Sequence, residues 1–157
     1  MTGYCYYIII VDDFTHYLWS FPLRKKSDVY ATFVAFHANA STQFQLSVQC
    51  DDGREFDNTK LDKFCITHGI IFCFSCPYTS QQNGKAERAI RSTNNILRTL
   101  LQAHMPPRFL VESLHTATHL LNIRPSRAIQ NNTPHFMLYG VSPDYTSLRT
   151  FGCLCYP

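Results

Sequence analysis

Leu46-Ser47-Val48-Gln49-Cys50-Asp51-Asp52-Gly53-Arg54-Glu55-Phe56 is the stretch on which the fold turns. Leu46, Val48 and Cys50 alternate as the residues of a short strand do. Asp51 closes that strand, where a sheet presents side chains into a crevice. Gly53 lets the following turn bend close to a substrate backbone. A second carboxylate, Glu87, follows with 35 residues between, in Pro77-Tyr78-Thr79-Ser80-Gln81-Gln82-Asn83-Gly84-Lys85-Ala86-Glu87-Arg88. One acid is thus expected at a strand end and the other at a helix start.

Outward from this pair, the rest of the chain falls into strands and helices. Tyr4 to Val11 is a β-branched and aromatic run, the pattern of a buried strand, and Asp12-Asp13 end it as turn formers. Tyr17 to Leu23 predicts a second strand, close enough to pair with the first as a hairpin. Ser27-Asp28 supplies an N-cap and an acidic first turn. Val29, Phe33, Phe36 and His37 then carry a helix to about Gln43. Asn58 to His68 reads as a short helix with Leu61, Phe64 and Cys65 on one face and Gly69 as its stop. Ile70 to Phe74 is a strand, and Ser75 to Gly84 a polar loop. Two longer helices, Lys85 to His104 and Arg108 to Ile123, flank Met105-Pro106-Pro107. The tail from Arg124 holds four of the eight prolines, so long elements are not expected there. The order ββαβαβαα points to an α/β fold, a mixed sheet flanked by helices.

Composition narrows the class. At 157 residues the chain is one domain by the usual prior, and 45% hydrophobic with 14% aromatic residues supports a packed core. A net charge of +3 is too mild to indicate a nucleic-acid partner by itself. No apolar run reaches the ~20 residues of a membrane span, so no membrane association is expected. Seven cysteines, an odd number scattered through strand and helix patterns, fit a reducing, intracellular compartment better than a disulfide framework.

Two-metal phosphoryl transfer needs carboxylates clustered around cations ~3.5–4 Å apart, and magnesium suits sites of few carboxylates plus water and phosphate oxygens. Asp51 and Glu87 are the residues of that kind. On a helix of ~100° per residue, Ala86, Ile90, Leu97 and Leu101 form an apolar stripe. Glu87 borders it, with Arg91, Asn94 and Arg98 alongside, the residue types that contact phosphates. Taken singly, an Asp after a strand is commonly a turn residue, and a Glu in a first helical turn a dipole partner. Their spacing and their sequence contexts together outweigh those readings. Cys73-Phe74-Ser75-Cys76 has zinc spacing but lacks a second pair, and His115 and His119 lack the Glu of a metalloprotease motif. Arg24, Lys25 and Lys26 read equally as a solvated turn or as phosphate contacts.

Asp51 to Arg88 resembles the core of copia-type LTR retrotransposon integrases, carrying the second half of the Asp, Asp-35-Glu signature of retroviral-type integrases. Val11-Asp12-Asp13-Phe14-Thr15, Pro22-Leu23-Arg24-Lys25-Lys26-Ser27-Asp28-Val29, His68-Gly69-Ile70, Asn122-Ile123-Arg124-Pro125-Ser126, Thr133-Pro134 and Phe151-Gly152-Cys153-Leu154-Cys155-Tyr156-Pro157 extend the likeness over nearly the whole chain. The resemblance implies a ribonuclease-H-like fold and chemistry that trims element ends and joins them to host DNA. It implies that Asp51 and Glu87 are catalytic and hold Mg2+ (or Mn2+), with no small-molecule cofactor. Arg88, Arg91, Arg98, Gln81, Gln82, Asn83 and Lys85 would then face DNA. Self-association and a nuclear location are also implied. Residues 1–123 would be a partial catalytic core and 124–157 its C-terminal extension.

Three departures bear on activity. Asp52-Gly53-Arg54 stands where the family usually has Asn-Gly-Gly, so a second carboxylate lies beside Asp51. Phe109-Leu110 occupies the region where the family commonly carries Trp. The family's first catalytic Asp belongs to a strand expected before Thr2-Gly3-Tyr4, so these 157 residues are expected to lack the first, central strand. Asp12 cannot replace that Asp. In the implied fold it lies at the opposite sheet edge, on the order of 15–20 Å from Asp51 at ~3.3 Å per residue. Lost pairing on both neighbouring strands, at ~1–3 kcal/mol per buried group, weighs heavily against a stability of ~5–15 kcal/mol. The rival expectations are an inactive remnant that binds DNA or itself, and an interaction domain related only by descent.

Overall fold

The computed structural model describes residues 3–40, 47–50, 59–74, 84–102 and 106–153, with the backbone alone at 47–50, 71–74 and 107. The expected opening hairpin is present as β1 (Tyr6–Val11) and β2 (Leu18–Leu23). Cys5 N–H donates to the Leu23 carbonyl and Asp12 N–H to that of Tyr17, so the pairing is antiparallel. The turn is built by Asp12. Its carboxylate accepts from both the backbone N–H and the hydroxyl of Thr15, at 2.7 and 2.6 Å, which confirms the turn-forming role read from the sequence.

Contacts divide the chain into two compact units, one of residues 4–8 and 23–84, the other of 1–3, 9–22 and 85–157. The first holds α1 (Val29–Ala40), β3 (Ser47–Cys50), α2 (Thr59–Thr67) and β4 (Ile71–Phe74). β3 and β4 pair in parallel with Ser47 opposite Ile71 and Cys50 opposite Phe74, and α2 lies in the connection between them. Parallel neighbours need such a crossover. Phe33, Leu61, Cys65 and Ile70 form the buried cluster, with Tyr30 and Phe64 packed against it. Burial of a Leu or Phe side chain is worth ~1.5–3 kcal/mol. The end of α2 follows expectation: Gly69 takes φ +65°, its N–H reaches the Ile66 carbonyl, and Ile70 N–H reaches that of Cys65. This pair of bonds satisfies carbonyls that a helix end leaves unpaired.

The start of α1 differs from the expected Ser27 cap. A short 3-10 turn over Lys26–Asp28 precedes the helix, and the Asp28 carboxylate accepts from Lys25 N–H at 3.0 Å. Tight i→i+3 turns are common at helix ends. On the inner face of α1, His37 is buried against Phe64, with the exposed His68 ring 5.0 Å away. Burial, and then the neighbouring His68, lower the pKa of His37 below the usual histidine value. A histidine with a depressed folded pKa stabilises the fold at pH above its unfolded value, ~6.5, and less as pH falls toward the folded value. Melting temperature should therefore drop between pH 7.5 and 5.5, and His37→Phe should shrink that drop. An identical slope in the variant would assign the pH dependence to other groups.

The second unit is organised by α4 (Leu110–Ile123), whose Ser113, Leu114, Ala117, Thr118, Leu121 and Asn122 are buried. Asn122 clamps the outer edge of β2: its Oδ1 accepts from Leu18 N–H at 2.9 Å, and its Nδ2 donates to the Leu18 carbonyl at 2.8 Å. One turn earlier, the Thr118 hydroxyl donates to Ser20 Oγ at 2.7 Å. His115 and His119 lie on the exposed face of this helix. After Arg124 the chain forms α5 (Pro134–Tyr139), capped by the Thr133 hydroxyl, and the Tyr145 hydroxyl donates to the Ile123 carbonyl. The tail from Arg124 thus shares a unit with α4 and, as its prolines indicate, holds no long element.

The remaining helix, α3 (Gly84–Gln102), departs from its predicted stripe. Leu97 is buried and Ala86 and Leu101 half-buried, but Ile90 is 42% exposed, while Thr93 is fully buried. Among the described residues the strands form two ladders, β1–β2 and β3–β4, with no strand bridging them. The element order is the expected ββαβαβαα, continued by α5, and the two ladders are one antiparallel and one parallel.

Candidate nucleic-acid and metal-binding site

Asp51, Gln81, Gln82 and Asn83 lie outside the described residues, so the site is built from the start of α3. Glu87 sits in the first turn of that helix and is exposed. Four residues on is Arg91, then Asn94 and Arg98; at ~100° per residue these four fall within about 60° of one another. Arg91 and Arg98 are exposed and Asn94 half-buried, so the row faces outward as its spacing predicts. Arg88 is exposed beside it. Among the described residues, Glu87, Arg88, Arg91 and Arg98 form no hydrogen bond or ion pair. The positive helix N-terminus favours a carboxylate there and equally favours phosphate.

The aspartates of the β1–β2 turn are differently disposed. Asp12 is occupied by Thr15. Asp13 accepts from the Lys85 ammonium through its carboxylate and, at 3.0 Å, through its backbone carbonyl. Lys85, expected to face DNA, is thus engaged 72 residues away along the chain. No sequence pattern links these two positions. In the same hairpin, burial and then a hydrogen bond with Tyr139 push the Tyr17 phenol up to about 12. Among the described residues, no three His, Cys, Asp or Glu side chains gather closely enough to hold a metal ion. Glu87 fits as one oxygen donor, since nothing described competes for its carboxylate.

The model of the integrase core domain matches residues 1–80. The chain belongs to the integrase core domain family. That match contains Asp51 and stops before Glu87, but curated relatives extend the likeness past both. The retrovirus-related Pol polyprotein from transposon RE1 of Arabidopsis thaliana is 38% identical over 159 residues, covering 99% of this chain and 11% of the polyprotein. That from transposon TNT 1-94 of Nicotiana tabacum is 32% identical, covering 98% and 12%. The integrase core is therefore of the copia-type retrotransposon class, and the chain spans about a tenth of the relatives it matches. The HTLV-2 integrase catalytic core domain, solved in complex with magnesium in a trimeric form, superposes with a TM-score of 0.63 at 21% identity, over 82% of this chain and 81% of that one. The fold is thus that of integrase catalytic cores, ribonuclease-H-like, as the resemblance implied. No helix among the described residues is long and apolar enough to cross a membrane.

Proposed function

We propose that this integrase core serves DNA integration by metal-dependent polynucleotidyl transfer, with Asp51 and Glu87 as its catalytic carboxylates. The observation that carries the reading is the exposed row of Glu87, Arg91 and Arg98 on α3, a carboxylate in line with two guanidiniums, none of them paired among the described residues. Hard oxygen donors suit Mg2+ or Mn2+, and Asp51 with Glu87 would supply them. Bound there, the metal would polarise the phosphoryl oxygens and stabilise charge at the reacting phosphorus. Arg88, Arg91 and Arg98, together with Gln81, Gln82 and Asn83, hold the DNA backbone. The family likeness also supports self-association and action in the nucleus. Residues 1–123 act as the core, with 124–157 as its extension.

The arginines are tested by salt dependence. Removing one phosphate-binding cation flattens the slope of log affinity against log salt by about one unit. Arg91→Ala with Arg98→Ala should therefore flatten it by about two units in the integrase carrying this domain. An unchanged slope would return both side chains to an ordinary solvated surface.

A further inference from the structure

We propose that Asp13 and Lys85 are a positioning pair for Glu87, a reading that rests on the proposed catalytic role of that carboxylate. Lys85 and Glu87 are two residues apart in the first turn of α3, so they project ~200° apart around the helix axis. Holding Lys85 on one face therefore fixes the rotation at which Glu87 emerges from the other. The holder is itself held. The turn carrying Asp13 is closed by Asp12 with Thr15 and by the His16 N–H to the Asp12 carbonyl at 3.0 Å. Lys85 reaches two acceptors of Asp13, its carboxylate and its backbone carbonyl, and the carboxylate supplies the charge that holds the ammonium in place. Among the described residues this is the hydrogen-bonded tie between residues 84–91 of α3 and any other element. Ile90, on that stretch, is too exposed to anchor it by packing.

The pair is exposed, with side chains 51% and 90% accessible, and exposed pairs stabilise a fold little. Its consequence is geometric: small misplacements of a reacting group cost rate steeply, up to ~100-fold for about 1 Å. Lys85 is then a positioning residue and does not contact phosphate. In the integrase carrying this domain, Asp13→Ala and Lys85→Met should each lower the strand-transfer kcat by about 3–10-fold. DNA affinity, its salt slope and the melting temperature should stay unchanged. The charge-exchanged double variant, Asp13→Lys with Lys85→Asp, should recover more than half of the loss. A phosphate role for Lys85 predicts the opposite pattern: Lys85→Met weakens and flattens salt-dependent binding, whereas Asp13→Ala tightens it by releasing the lysine. That pattern, or no recovery in the exchanged variant, would overturn the proposal. If Glu87→Gln leaves kcat intact, the catalytic reading itself fails, independently of the pair.

Discussion

Glu87→Gln should reduce metal-dependent strand transfer by about 10³-fold while leaving DNA affinity within a factor of two or so. The substitution keeps the shape of the side chain and its place in the first turn of α3 but removes the negative charge. A metal acting as Lewis acid on a phosphoryl group is worth several kcal/mol, and ~4 kcal/mol corresponds to about 10³ in rate. Asp51→Asn should cost as much, and the double variant little more than either single one, because groups that act as a unit are not additive. Rates with magnesium and with manganese, alongside fluorescence anisotropy on the same duplex, separate chemistry from binding. A Glu87→Gln protein within tenfold of the parent rate would remove Glu87 from the catalytic centre. Arg91 and Arg98 would then remain as a binding face without the chemistry.

The largest effect on stability should come from Asn122→Ala, which should destabilise the integrase core by about 2–5 kcal/mol. Asn122 is 4% exposed and meets both polar groups of one strand residue, donating to the Leu18 carbonyl and accepting from its N–H. The amide thereby imitates a neighbouring strand at the edge of β2. Leu18 is itself buried, so truncation strands one donor and one acceptor, each worth ~1–3 kcal/mol. Asn122→Leu should be no better, since it refills volume without restoring either bond. Thr118→Val, which breaks one side-chain hydrogen bond to Ser20, should cost less. Urea unfolding of the parent and the three variants checks the ranking. A loss below ~1 kcal/mol for Asn122→Ala would mean that water replaces the amide at Leu18.

Local pattern and local chemistry carried most of the fold. The β-branched run at Tyr6–Val11, the apolar faces of α1 and α2 and the stop at Gly69 all depend on residues within a few positions of each other. Periodicity and the φ > 0 tolerance of glycine reveal those directly. The outward row of Glu87, Arg91, Asn94 and Arg98 was legible for the same reason, because a helix converts spacing into a face. The departures arise where a neighbour distant in sequence decides. Hydropathy favours Ile90 as an inward residue of α3, and it shares a face with Thr93 and Leu97 at ~100° per residue, yet those two are buried and Ile90, nearer the helix start, is 42% exposed, because tertiary packing decides which turns of one face are covered. The Ser27 cap gave way to the Lys25–Asp28 turn, since several polar residues in a row offer alternative caps of similar energy. Asp13 was legible as a turn former, but its hold on Lys85 spans 72 residues. Asn122 was recognisable only as part of a motif, and its partner lies 104 residues earlier. The sequence by itself thus determined the elements, the family and the charged face of α3. Only the tertiary structure decided which polar side chains serve as clamps, because a hydrogen bond between remote positions leaves no periodic trace in the chain.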